Sequence, residues 1–393
     1  MTTLYVAPNG ADSGINALGT ADKPFLSIQV AANKMQPGDT VQVRPGNYTG
    51  FNLGWDTPKS GWPGKLLNFV AEPGVFITHW TKSQDGIDLE GASYVSITGF
   101  NINGMLRSGI RTNNGRDIRL YKNICTNNKV WGIQTSHVDD LIIQDNSCYS
   151  SQQQHGIYVG NACSNARVIN NIASNNKNCG IHINGDQTQG GDGTVSRAII
   201  SGNICSGNGA GGGAAINCDG LSNSLIEDNL LIDNLNTGIA LFRIDAATPA
   251  RDNVISNNTV IQAESSKNPA ILFRNGSIRN KVSRNIFFIK AQPTVNTGQV
   301  AFNVDPYSFY QLFSDNNAIN GNFSLDDMKT FLSWTGWKAA TLQDSNSLMT
   351  QFISDTSMLV NYGLADYPYL GATPVKPGRA PVVLPIPPAP PTK

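Results

Sequence analysis

The stretch SGIRTNNGRDIRLYKNICTNNKVWGIQTS, residues 108–136, repeats its own opening: SGIRTN at 108–113 comes back as WGIQTS at 131–136. The same element, a small residue, an isoleucine and then alternation, recurs as HGIYVG (155–160), CGIHIN (179–184), AAINCD (214–219), TGIALF (237–242) and PAILFR (269–274). The positions equivalent to the glycine are 109, 132, 156, 180, 215, 238 and 270, with steps of 23, 24, 24, 35, 23 and 32. A second element keeps phase with the first. An asparagine follows a short strand at 123, 146, 171, 203, 229, 258 and 285, and two residues beyond it stand Cys125, Cys148, Ala173, Cys205, Leu231, Val260 and Phe287. Two motifs in register at a period of about 23 residues specify an all-β parallel solenoid, whose turns stack roughly 4.8 Å apart so that equivalent residues form ladders. Ile110, Ile133, Ile157, Ile181, Ile216, Ile239 and Ile271 form an inward column. The asparagines are suited to hydrogen-bond along the stack, and the glycines are expected to allow tight corners.

Composition agrees with a ladder protein. Charged residues make up 14% of the 393, against roughly 25% in an average soluble domain. The polar share is filled instead by 44 asparagines and 39 glycines. Net charge is zero and the isoelectric point about 6.9, which excludes the basic stripe of a nucleic-acid binder. No apolar run is long enough to span a bilayer, so no membrane insertion is expected. MTTLYVAPNG, at the start, shows no signal peptide. Six cysteines form no Cys-x-x-Cys pair, and several fall on buried ladder positions, where cysteine acts as a small hydrophobe.

The opening YVAPNGADSG (5–14), the stretch DKPFLSIQVAANKMQPGDTVQVRPGNYTG (22–50) and the Asn-rich turns resemble the right-handed parallel β-helix superfamily of pectate-lyase-like, carbohydrate-active proteins. The resemblance covers residues 4 to 300 or so and implies a polysaccharide-directed activity at a cell or virion surface or outside the cell. The expected organisation is a β-helix over 1–299 with an N-terminal helical cap at 24–35, a C-terminal cap over 300–373, and a Pro-rich tail over 374–393. The C-terminal cap is expected to carry a helix over 324–337, begun by Ser324. Monomer and trimer both suit such a solenoid.

If the isoleucines point inward, the next residue of each strand points out. This gives the column Arg111, Gln134, Tyr158, His182, Asn217, Ala240 and Leu272, and two residues on a parallel column of Asn113, Ser136, Gly160, Asn184, Asp219, Phe242 and Arg274. Tyr158, His182, Asn184, Asn217 and Asp219 should therefore share one patch, with Gln134 and the corner residue His155 beside it. The step of 35 residues from Gly180 to Ala215 carries an insertion, GDQTQGGDGTV, that emerges beside His182 and brings Asp186 and Asp192. Arg243 and Asp245, in RID (243–245), follow one strand further on.

Four chemistries suit these residue types. A lyase acting on a uronate-containing polysaccharide by β-elimination needs a neutralised carboxylate, a base and an acid. Here His182 is the expected base, Tyr158 the acid and Arg243 the neutralising cation. Asn184, Asn217, Asp219, Asp245, Gln134 and His155 would contact substrate. Calcium, which takes oxygen ligands, would be held by Asp186, Asp192 and Asp219. An epimerase would use the same parts. A glycoside hydrolase needs only paired carboxylates, for which Asp186, Asp219 and Asp245 qualify. The pattern NGD, NCDG, RID also resembles that of polygalacturonases, with Asp245 in place of their lysine. The fourth reading is a non-catalytic carbohydrate-binding or tail-spike-like β-helix, for which Trp131, Trp55, Trp62 and Trp80 would offer sugar platforms.

Overall fold

A computed structural model describes residues 1–54, 59–290 and 300–349. The chain winds as a solenoid of three long parallel sheets, with 12, 11 and 12 strands. The first runs from Thr3–Val6 to Phe313–Asp315, the second from Phe51–Asn52 to Asn322–Ser324, and the third from Gly46–Thr49 to Leu348–Met349. A small fourth sheet of three strands, Cys163–Ser164, Val195–Ser196 and Leu221–Ser222, fills one corner in the middle turns. Strand pairing follows the sequence ladders residue for residue. Ile110 pairs with Ile133, then Ile157, Ile181, Ile216, Ile239 and Ile271, all fully buried.

The asparagines do more than stack. Asn171 is representative: its amide donates to the Ile143 carbonyl at 2.8 Å and to Asn203 Oδ1 at 3.0 Å, while its Oδ1 accepts the backbone N–H of Asn146 at 2.9 Å. Each side chain thus satisfies donors and acceptors that the corner between the first and third sheets leaves unpaired. The ladder runs unbroken from Asn123 to Asn317. A second one, Asn176–Asn208–Asn234, closes the next corner.

Glycines such as Gly99, Gly104, Gly207 and Gly220 do take the left-handed conformation at corners, as expected, but glycine is not required at every one. The residue before each ladder asparagine is the one in the left-handed region, and it is Lys122, Asp145, Asn170, Asp228, Asn257 or Arg284 as readily as Gly202. The glycines before the inward isoleucines are needed for close approach. A Cβ on Gly132 would stand 2.6 Å from the Gly156 carbonyl oxygen and 2.9 Å from Cys148 Cβ.

At the N-terminal end, a helix over Ile28–Lys34, capped by Ser27, packs Ile28, Ala31 and Ala32 against the first strands. The C-terminal helix covers Trp334–Thr341 and starts at Ser333. Ser324, the expected cap, instead accepts the Met328 N–H at 2.8 Å in a turn. Strands continue beyond 299, from Val300–Val304 to Leu348–Met349. Residues 350–373 of the expected cap and the Pro-rich tail 374–393 lie outside the described residues. Among the described residues no helix is long and apolar enough to cross a membrane.

Candidate functional site

The outward column of the second sheet forms as read. Arg111, Gln134, Tyr158, His182, Asn217, Ala240 and Leu272 pair in succession, and Ser136, Gly160, Asn184, Asp219 and Phe242 run beside them. Tyr158 lies back along its own strand over Gly160, a position open only because that residue has no Cβ; one would meet the Tyr158 ring at Cζ, 2.6 Å away. Its phenol oxygen accepts from Asn184 Nδ2 at 3.1 Å and donates to Asn161 Oδ1 at 3.4 Å. Burial raises the phenol's pKa, and the carboxylates of Asp186, Asp245 and Asp219 raise it further. Tyr158 is therefore held protonated by burial and by the negative charge of the surrounding acids.

His182 meets Tyr158 edge to face, at 5.4 Å between ring centres. His155 is stacked against the same tyrosine at 5.8 Å and hydrogen-bonds His182, Nε2 to Nδ1, at 3.0 Å. This contact fixes both tautomers. The backbone N–H of Cys179 donates to His155 Nδ1 at 3.1 Å, so that nitrogen carries no proton. The proton of neutral His155 is then on Nε2 and is donated to His182 Nδ1, which leaves the His182 proton on Nε2. Burial holds both imidazoles neutral: it brings His182 down to about 4 and His155 well below its ordinary value, with His182 adding to the latter effect. His182 Nε2–H is shielded from solvent and has no hydrogen-bond partner among the described residues. Trp131 Nε1 and Gln134 Oε1, also without partners among the described residues, stand on the turn beside that of Tyr158.

This geometry alters two of the roles expected from the sequence. His182 presents a donor, because its only lone pair is engaged by His155; acting as a base at Nε2 is closed to it in this tautomer. His155 is buried and has both nitrogens engaged, so the structure places it behind His182, as a group that orients that imidazole.

The acids are brought together by loops. Residues 186–194 turn through a short 3-10 helix, Gln187–Gln189, with Asp186 accepting the Thr188 N–H at 2.8 Å and Asp192 the Thr194 N–H at 2.9 Å. Part of the lengthening lies elsewhere: Asn176 and Asn208 are 32 residues apart and Gly180 and Ala215 are 35 apart, so three residues enter at GAGGG, 209–213. Gln187 N–H donates to the Asp245 carbonyl at 3.1 Å, and Ala247 N–H to Gly193 at 3.1 Å, welding the inserted loop to 243–247. Asp219 anchors this second loop. It accepts Ile244 N–H at 2.9 Å and Asp245 N–H at 2.7 Å. Burial pushes its carboxyl up in pKa, while those N–H groups pull it down. Asp245 and Arg243 are exposed at the rim, with Arg243 Nε donating to the Ala246 carbonyl at 3.3 Å. His137, on the strand Trp131–Asp139, touches the inserted loop through Nε2 and the Gly190 carbonyl at 3.3 Å.

The donor set does not fit calcium at Asp186, Asp192 and Asp219. Both Asp219 oxygens already face backbone N–H groups, whose positive ends would oppose a cation. His155, Cys179 and His182 do place ligand atoms within 4.8 Å of one another. Each imidazole there is committed to the hydrogen-bonded chain, and burial holds the Cys179 thiol protonated with its pKa raised to about 12.

Stacked parallel turns with a polar face on one sheet define the class: a right-handed parallel β-helix. Residues 4–154 match the family model described as Pel9A-like, right handed beta helix region, and residues 189–323 match the one described as right handed beta helix region. The chain is thus similar to right-handed β-helix regions along both stretches, and to the Pel9A-like kind in its N-terminal turns. Similar curated proteins include the uncharacterized protein YwoF of Bacillus subtilis, 39% identical over 66 residues, 17% of this chain and 13% of that protein. Pectate lyase PEL9 of Emericella nidulans is 44% identical over 46 residues, 12% of this chain and 10% of its own length. The chain thus spans only a small part of either relative.

Among solved structures, pectate lyase Pel9A superposes with a TM-score of 0.53 at 15% identity, over 76% of this chain and 78% of that one. A lacto-N-biosidase from Eubacterium ramulus reaches 0.61 at 11% identity, over 89% and 67%. At these identities the likeness concerns the fold.

Proposed function

We propose that this β-helix is polysaccharide-active and cleaves an acidic, uronate-containing polysaccharide by β-elimination on the second sheet, around Tyr158 and His182. The observation that carries the reading is the pairing of a buried, protonated phenol with a shielded imidazole N–H that has no partner among the described residues. Leaving a buried donor unmade costs about 1–3 kcal/mol, and a substrate oxygen would recover it.

In this reading His182 Nε2–H hydrogen-bonds the uronate carboxylate, where negative charge grows as the adjacent C–H is broken. Arg243 at the rim adds positive charge on the same side. The proton leaves the carbon next to the carboxylate for a carboxylate of the joined loops, Asp186 or Asp245. The freed electron pair becomes the new C=C bond, the C–O bond to the neighbouring sugar breaks, and Tyr158 protonates the departing oxygen. A neutral imidazole donor and a phenol acid both match the pKa directions of the site. Pectate and alginate lyases share the fold, which suits this reading without choosing the polymer.

A hydrolase reading is favoured by one observation, that the 186–194 and 243–247 loops, which carry Asp186 and Asp245, are hydrogen-bonded to each other. One assay separates the two. A panel of uronate polysaccharides is followed by ultraviolet absorbance and by reducing ends, with wild type, Tyr158→Phe and His182→Ala. Elimination gives both signals and loses both in each variant. New reducing ends without absorbance make the carboxylate pair the catalyst, and full activity in Tyr158→Phe removes the tyrosine from the reaction.

A further inference from the structure

The outward column does not end at the tyrosine and histidines. Beyond Asn217 it continues as Ala240, Leu272 and Asn303, and these residues form the floor of a cleft of about 220 Å³. That is below the roughly 300–1,000 Å³ of most ligand pockets, a size for a sugar ring and not for a large ligand. Asn217 lines both the cleft and the turn of His182, so the two are continuous along the solenoid axis.

The lining differs in chemistry from the catalytic end. Leu272 and Phe242 offer an apolar surface, and the polar groups are mostly side-chain amides. Arg274 is the one charged residue of the lining, and it is spent on Asp327, with Nε donating to the carboxylate at 2.9 Å. Asn303 is fully buried. Its Nδ2 donates to the same Asp327 at 3.3 Å, while its Oδ1 has no hydrogen-bond partner among the described residues. An apolar floor meets the C–H face of a pyranose, and a buried amide oxygen that lacks a donor is satisfied by a sugar hydroxyl. A carboxylate placed here would be desolvated with no unpaired cation to receive it.

We propose that this cleft binds a neutral sugar residue next to the uronate handled by Tyr158 and His182. The substrate is then a chain in which uronates alternate with neutral sugars, and all-uronate chains are poor substrates. The position of the uronate rests on the lyase reading; the neutrality of the cleft does not.

The test measures binding and turnover separately. Isothermal titration and absorbance kinetics are run with polygalacturonate and alginate as all-uronate chains, and with rhamnogalacturonan backbone and unsulfated chondroitin as alternating chains. Wild type is expected to favour an alternating chain at least tenfold in affinity and in kcat/KM. Leu272→Trp, which fills the cleft from a partly exposed position, is expected to narrow that preference about tenfold. Leu272→Arg is expected to shift it towards the all-uronate chains. If an alternating chain binds without turnover and Leu272→Trp weakens that binding, the cleft stands and the lyase reading fails. Equal or tighter binding of all-uronate chains, no binding of either alternating chain, or a Leu272→Trp variant with unchanged preference overturns the proposal.

Discussion

At the scale of single residues, the site is governed by one hydrogen-bonded chain, from Cys179 N–H through His155 to His182. Its energetic signature is a pH dependence. His182 is brought from its ordinary value of 6.5 to about 4 by burial. The unfolded chain therefore binds this proton at a pH where the folded one does not. Stability is unaffected above about pH 6.5 and falls as pH drops through the window down to about 4. A shift of this size corresponds to about 3 kcal/mol, and His155, displaced in the same direction, adds to it. Urea titrations at pH 7.5 and pH 4.5 should show the loss in wild type and a smaller one in His182→Gln; equal losses would mean that the imidazole is not held neutral by the fold. The presence of histidine, tyrosine and acids on neighbouring turns was legible in the sequence, because outward columns follow from counting. The tautomer was not. It depends on a backbone N–H three residues before His182 reaching a corner side chain, and no spacing rule encodes that.

At the scale of elements, a turn is held by ladders whose members do different work at similar sequence positions. Gly132 and Gly160 lie on adjacent strands of the second sheet, yet a methyl group would meet backbone at the first and a side chain at the second. Gly132→Ala should therefore destabilise the fold by about 1–3 kcal/mol through overpacking. Gly160→Ala should melt within a few degrees of wild type but lose about 100-fold in turnover, because the Tyr158 ring is pushed off Asn184 and misplacement by an ångström carries that penalty. Thermal melts beside initial rates check both, and a Gly160→Ala enzyme with full activity would show that the ring's position is immaterial. Asn171→Ala removes the partners of the Ile143 carbonyl and the Asn146 N–H together, for which a loss of about 3 kcal/mol is expected. The asparagine column was readable because every turn needs it. The anchoring of 243–247 by Asp219 was not, since a carboxylate on an outward column looks the same in sequence whether it faces solvent, a cation or three amides.

At the scale of the whole molecule, a solenoid's stability is a sum over turns and their interfaces, and the open question is how far those turns unfold together. One apolar core runs from Val6 to Trp337 without a break, which favours a single cooperative unit. That core also explains what the sequence left unread at the C-terminal side: the ion pair that neutralises Arg274 comes from Asp327, 53 residues later, so the character of the cleft is set by a turn with no repeat signature. The six cysteines offer the means to test cooperativity. All are buried and unpaired by disulfides, and burial raises the thiol pKa of Cys148, Cys163, Cys179, Cys205 and Cys218. A thiol reagent attacks the thiolate, so the native protein should label at none of them and the denatured chain at all six. They sit on consecutive turns from Cys125 to Cys218, in the third sheet, the small corner sheet and the second sheet, with Cys179 in the corner before the strand Ile181–Gly185. Pulse labelling across a urea gradient, read by peptide mass, should then give one common midpoint for all six, coincident with loss of the circular dichroism signal. Midpoints that spread along the axis would instead show a solenoid that opens turn by turn, with the site's own turns, carrying Cys163, Cys179 and Cys218, free to loosen before the rest.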